Sequence, residues 1–209
     1  MSDKNSRVLF NSIAPVYSRF FTIQRKWFRQ AMEKQEDHLD FSSLTSVLDV
    51  GCGTGALCSV LAERGLSVTG LDPAEKMLKY ASSRPENRNV HFIRGDVQNG
   101  LPFPDRSFDA AVASYVAHGM EAEQRLQLYR EMSRVARRVV VIMDYNQERS
   151  LLTSFVEWLE GGDYFGFIRQ VPQEMEVCTH QGKRCFSKVD VVQIGGRAAW
   201  YVCIPPDRS

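Results

Sequence analysis

The stretch Val47-Leu48-Asp49-Val50-Gly51-Cys52-Gly53-Thr54-Gly55 constrains this chain more than any other. Ser46 to Val50 reads as a buried strand, and the glycines after it let the backbone turn sharply into a helix beginning near Gly55. Such a strand, turn and helix start is expected to present unpaired backbone N–H groups and a positive dipole end at the carboxyl edge of a parallel sheet, a place suited to a nucleotide-like ligand. Gly51, Gly53 and Ala56 also satisfy the dinucleotide spacing G-x-G-x-x-[GA], so the glycine spacing alone is ambiguous. Asp49 argues against pyrophosphate: a carboxylate two residues before the first glycine repels a dianion and attracts an ammonium or sulfonium centre.

S-adenosylmethionine carries both of those cations. At this point the sequence resembles the class I S-adenosylmethionine-dependent methyltransferases, whose first motif, acidic-x-Gly-x-Gly-x-Gly, is matched by Asp49, Gly51, Gly53 and Gly55, with Cys52 inside the loop. Phe10 to Tyr17 looks like the N-terminal lid of the ubiquinone/menaquinone-biosynthesis-type (methyltransferase domain 11-like) branch, with Ser18 where that branch usually has aspartate. The resemblance implies that Tyr17 closes over the methionine end of the cofactor. Pro15 is expected to split the helical segment Ser6 to Gln35.

Asp72 follows the strand expected over Leu66 to Leu71, about 20 residues past the first glycine, where an acidic side chain can accept both ribose hydroxyls. Pro73 and Met77 are placed to flank the adenine, although Met77 also reads as the buried face of the helix Ala74 to Ser82. The resemblance implies that Asp96 accepts from the adenine amino group, that the Val97 N–H meets a ring nitrogen, and that the carbonyl near Ser114 receives the methionine ammonium. Leu101 to Asp109 closely resembles the linker before the fourth strand in the same branch.

The pattern along the chain predicts an α/β fold. Strands are expected at Val90 to Arg94, Phe108 to Ser114 and Val139 to Met143, with a helix from Glu121 to Arg137. Gly195-Gly196, between strands at Phe186 to Ile194 and Ala198 to Ile204, predicts an antiparallel hairpin. Dinucleotide folds run their strands parallel, so the hairpin favours the methyltransferase sheet. The resemblance implies a Rossmann-like three-layer sandwich with seven strands in the order 3-2-1-4-5-7-6, the last antiparallel. At 209 residues the chain suits one domain, with a helical lid over 6–35 and a helical insertion or cap over 147–181. In that insertion Leu151 to Leu159 forms one helical stripe, and a second short helix begins at Asp163 to Ile168.

The reaction class follows from the ends of the strands. His118, after the fourth strand, is the candidate catalytic base for an acceptor that holds a proton at neutral pH, and Tyr115, Tyr145 and Asp144 are lesser candidates. Neither the Pro-Pro-aromatic motif of DNA amino-methyltransferases nor a cysteine nucleophile stands beside Ser114. The net charge of +1 gives no case for nucleic acid. Asp144-Tyr145-Asn146 matches part of the magnesium site of catechol-type methyltransferases but lacks its companion aspartate, and Cys178, His180 and Cys185 lack a fourth zinc ligand, so no metal is expected. Five cysteines without CxxC spacing fit reduced thiols, and a polar start without any long apolar run reads as cytoplasmic with no membrane span. The resulting expectation is transfer of a methyl group to oxygen, nitrogen or carbon of a small-molecule acceptor. The alternatives are a non-catalytic S-adenosylmethionine-binding regulator or partner subunit and, further off, an NAD-dependent oxidoreductase.

Overall fold

The computed structural model describes residues 3–36, 38–146, 163–179, 185–196 and 198–207, and for 3–11, 13 and 16–18 the helical backbone only. Seven strands form one sheet in the order β3-β2-β1-β4-β5-β7-β6. They are β1 (Ser46–Val50), β2 (Ser67–Asp72), β3 (His91–Arg94), β4 (Phe108–Ser114), β5 (Ala136–Tyr145), β6 (Lys188–Gln193) and β7 (Ala198–Ile204). The pairs β1–β2, β2–β3 and β4–β5 are parallel. The pairs β5–β7 and β6–β7 are antiparallel, the second as Gly195-Gly196 predicted and the first as the resemblance implied. No helix of the described residues is long and apolar enough to cross a membrane.

Contacts divide the chain into two compact units, residues 1–102 and 103–209. In the first, α1 (Asp3–Lys34) packs beside α2 (Ala56–Glu63) and α3 (Glu75–Ser82). It runs unbroken through Pro15, against expectation. Pro15 lies on the exposed side, where water can take the carbonyl bond its missing N–H forgoes, while neighbouring Ala14 is buried against Ala74 and Met77. Further along, Phe21, Phe28, Ala31 and Met32 are buried, and the Arg84 guanidinium lies 4.8 Å from the Phe21 ring. Arg25 pairs with Glu63 and Glu86, and Arg29 with Glu63, but exposed pairs of this kind are worth little beside the apolar burial.

Gly55, which precedes α2, has φ +76°, and an added Cβ would lie 2.5 Å from Asn87 Nδ2 and 3.0 Å from the Phe92 ring. Only glycine lets this helix start seat so deeply. Gly55→Ala is expected to cost about 2–4 kcal/mol, combining left-handed strain with overpacking, read as a lower urea midpoint at unchanged slope.

In the second unit β4 and β5 are buried on both faces over most of their length, as their Ala- and Val-rich sequences require. α4 (Ala122–Val135) precedes β5, and α5 (Tyr164–Thr179) is longer than the short helix expected at Asp163 to Ile168. It continues through Pro172 because its buried stripe, Phe167, Ile168, Val171, Met175 and Cys178, keeps helical spacing on both sides of the proline. The stripe at Leu151 to Leu159 lies outside the described residues, as does His180.

Candidate active site

Several backbone amides of the first unit's glycine loop are already used within the fold. Gly51 and Cys52 both donate their N–H to Leu71 O, at 2.7 and 3.1 Å, and Gly55 donates to Cys52 O at 2.9 Å. Gly53 N–H goes to Asp72 Oδ2 at 2.9 Å. Four of the loop's amides are thus satisfied internally, and no side chain caps the start of α2. A sharp turn at positive φ folds the loop back onto the end of β2.

The loop also offers carboxylates. Asp49 is 1% exposed; its Oδ2 accepts from the Cys58 thiol at 3.1 Å, and its Oδ1 has no hydrogen-bond partner. Burial pushes its pKa up to about 7, the Cys58 bond lowering it and the nearby Asp72 raising it. Asp72 accepts from Gly53 N–H and, through Oδ1, from Ala74 N–H at 2.7 Å. Burial raises its pKa to about 6, the two amides offset part of this, and Asp96 adds to it. Each Asp72 oxygen keeps a second lone pair for a ligand hydroxyl. A buried, mutually repelling set of carboxylates with one orphaned oxygen suits a cation.

The remaining expected donor-site residues fall in different surroundings. A Cβ built on Gly53 meets nothing, so the loop surface is open there. The Cys52 thiol is turned inward, 2.9 Å from a Cβ built on Gly70. Pro73 is half-buried, whereas Met77 belongs to the core cluster with Ala14 and Ala74. Asp96 Oδ1 accepts from Gln98 N–H at 3.0 Å, capping the turn that contains buried Val97. Ser114 is half-buried at the end of β4, and the Tyr17 side chain lies outside the described set.

In the second unit the chain leaves β4 through Tyr115, whose φ of 54° is left-handed in a residue that disfavours it. Tyr115 N–H donates to Met143 O at 2.8 Å, and the chain then enters the turn Ala117–Gly119. That turn brings His118 to the end of β5. His118 Nδ1 lies 2.8 Å from Asp144 Oδ1, and its backbone N–H donates to Asp144 Oδ2 at 3.2 Å. Tyr145 N–H also donates to Oδ1, at 2.8 Å. A carboxylate facing Nδ1 accepts from it, so the His118–Asp144 contact carries a proton on Nδ1. Around the imidazole the Tyr145 ring stands at 5.0 Å and the Tyr115 ring at 6.3 Å, and Tyr164 of α5 meets Tyr145 at 5.1 Å.

Sequence reasoning treated Asp144 as a fragment of a magnesium site or as a lesser base and missed it as the partner of His118. A carboxylate ending a fully buried strand had to have a partner, and that was the available signal. Arg125 was missed altogether. It is fully buried on α4, with Nε 2.9 Å from Glu174 Oε2, one terminal nitrogen 3.0 Å from Asp163 Oδ2 and the other 3.3 Å from Gln170 Oε1. Burial works against its charge, but Glu174 and Asp163 outweigh that and hold the guanidinium above its ordinary pKa.

The 3-2-1-4-5-7-6 sheet with its antiparallel last strand is the Rossmann-like sheet of methyltransferases. Residues 47–138 match the family described as a methyltransferase domain, and the chain is similar to the class I S-adenosylmethionine-dependent methyltransferases. Within that class it is similar to quinone-biosynthesis members. Over 174 residues it is 32% identical to the chloroplastic 2-phytyl-1,4-beta-naphthoquinone methyltransferase of Arabidopsis thaliana, covering 73% of this chain and 62% of that one. Over 112 residues it is 38% identical to a demethylmenaquinone methyltransferase of Tropheryma whipplei strain Twist, covering 50% and 44%. The chain thus spans about half the length of the curated relatives it matches. A solved structure of a candidate S-adenosyl-L-methionine-dependent methyltransferase from Methanococcus maripaludis shares the fold, with a TM-score of 0.69 at 19% identity over 95% of this chain and 94% of that one.

Proposed function

We infer that this chain is an enzyme that transfers a methyl group from S-adenosylmethionine to a small aromatic acceptor of the quinol kind, with His118 as general base. The observation that carries this reading is the 2.8 Å contact between His118 Nδ1 and Asp144 Oδ1. The relatives' names supply the acceptor class. Five cysteines, all buried and none in a disulfide, support a reducing, cytoplasmic setting.

The donor supplies a sulfonium methyl that is displaced in line. Asp49 Oδ1 would receive its ammonium, Asp72 the ribose hydroxyls, and Asp96 and Val97 the adenine edge. Pro73 and Met77 would flank the ring, the Ser114 carbonyl would take a second ammonium proton, and Tyr17 would close the lid. Gly51, Cys52, Gly53 and Gly55 shape the loop that holds these groups in place. His118 Nε2 would accept the acceptor's hydroxyl proton, leaving an oxyanion that is itself nucleophilic and also enriches the ring carbons. Asp144 compensates the imidazolium that forms. We read the whole chain as one methyltransferase domain with its lid over 6–35 and its cap over 147–181. The packing of α5 against the turn that carries His118 supports the cap.

Calorimetric titration with S-adenosylmethionine, S-adenosylhomocysteine and NADH, followed by a turnover assay on reduced menadione, tests this reading. Binding of the first two and release of S-adenosylhomocysteine only with acceptor present is expected. Donor binding without turnover on any oxygen, nitrogen or carbon acceptor would make the chain a regulator.

The raised Asp49 carboxyl adds a pH signature. Its folded pKa of about 7 stands above the ordinary 3.8, so the stability it contributes is full below pH 4 and is lost as pH rises towards 7. The ammonium needs the ionised form. Affinity for S-adenosylhomocysteine should therefore rise between pH 5.5 and 7.5 and level off above, and Asp49→Asn should flatten that rise.

A further inference from the structure

We propose that a trough between α5 and the β6–β7 hairpin is the subsite for an extended apolar substituent on the acceptor. Its cavity volume is about 620 Å³. The floor is Val189, Val191 and Gln193 of β6 with Tyr201 of β7, and one wall is Pro172, Met175, Glu176 and Thr179 of α5.

The spacing explains the shape. Alternate residues of β6 face the same side, and Val191 pairs directly with Tyr201, so these side chains form one continuous strip. On α5 the wall residues stand at i, i+3, i+4 and i+7, a single helical face. From Val189 to Gln193 the strip runs roughly 13 Å, which suits an elongated ligand better than a compact one. Val191 is 52% exposed although it lies at the centre of this apolar floor. Polar groups gather at the mouth, where Asn146 Nδ2 donates to Gln193 Oε1 at 2.8 Å.

The register ties the trough to the proposed base. Asp144 pairs with Ala199, which pairs with Gln193 on its other side. Paired residues share a sheet face, so the carboxylate that holds His118 and the mouth of the trough stand in one row, two strand spacings or roughly 10 Å apart. Tyr201 OH also donates to Tyr145 O at 3.1 Å, linking the floor to the residue whose ring lies against His118. An aromatic acceptor at His118 would direct a substituent about one ring's length towards Asn146 and down the trough.

This inference rests on the acceptor reading above, and the test separates the two. Dissociation constants are measured for menadione, its 2-decyl counterpart and 1-decanol on the full chain saturated with S-adenosylhomocysteine. The variants are Val191→Asp, which charges the exposed floor, and Gly195→Trp, which fills the mouth where an added Cβ meets nothing. The wild-type chain should bind the decyl compound at least about tenfold more tightly than menadione. Either variant should abolish that advantage while leaving menadione and S-adenosylhomocysteine affinity unchanged. An advantage that survives both variants, or no advantage at all, overturns the trough. If neither quinone binds but decanol does, in a manner sensitive to both variants, the trough stands and the quinol reading falls. If nothing binds, the trough falls.

Discussion

His118→Ala is expected to lower kcat on a hydroxylated aromatic acceptor by about 10²- to 10⁴-fold, the range for losing a positioned general base. KM for the acceptor and affinity for the donor should change little. The fold should survive, because the His118 and Tyr145 backbone amides still donate to Asp144 when the imidazole is gone. Asp144→Asn tests the carboxylate's part in this. The amide can turn its carbonyl to Nδ1–H or its NH₂ towards the ring, and the second choice puts the lone pair on the wrong nitrogen. Its kcat should fall too, with an altered pH–rate profile, and its urea midpoint should drop because the new NH₂ faces a backbone N–H that donates to Asp144. Wild-type kcat in His118→Ala would remove His118 from the chemistry.

Arg125→Met should destabilise the second unit by about 3–5 kcal/mol, the cost of breaking a buried ion pair from one side. Most of this comes from Glu174, whose side chain is only 18% exposed and would lose its partner. Asp163 is 37% exposed and would find water instead. The double variant Arg125→Met with Glu174→Met should recover much of the loss, because an apolar pair of similar volume leaves no uncompensated charge. Chemical denaturation of the three proteins measures both effects. A single variant as stable as wild type would mean that α5 is held by its apolar stripe alone.

The sequence carried the sheet because each strand has a local signature. Val139 to Met143 is apolar without alternation, as a strand buried on both faces must be, and Gly195-Gly196 between two strands requires an antiparallel return. The donor loop was legible for the same reason, since Asp49 and three glycines at fixed offsets are a local pattern. Sequence reasoning failed where a residue's partner lies far along the chain. Pro15 breaks a helix judged by its own turn, yet burial of Ala14 on α3 holds that helix together. Arg125 shares the helical stripe of Leu128, Met132 and Val135, and a charge on such a stripe was a visible clue, but its side-chain acceptors are 38 to 49 residues away.

By itself, then, the sequence determined the strands, the carboxylates of the loop and the histidine after β4, since hydrophobic periodicity and glycine geometry act over a few residues, while the strand order came only through the family resemblance. Tertiary structure alone decided that the Gly53 N–H is spent on Asp72, that His118 Nδ1 meets Asp144 and that α5 and β6 enclose a trough. Each depends on hydrogen bonds and register between elements distant in the chain, and no local pattern encodes them.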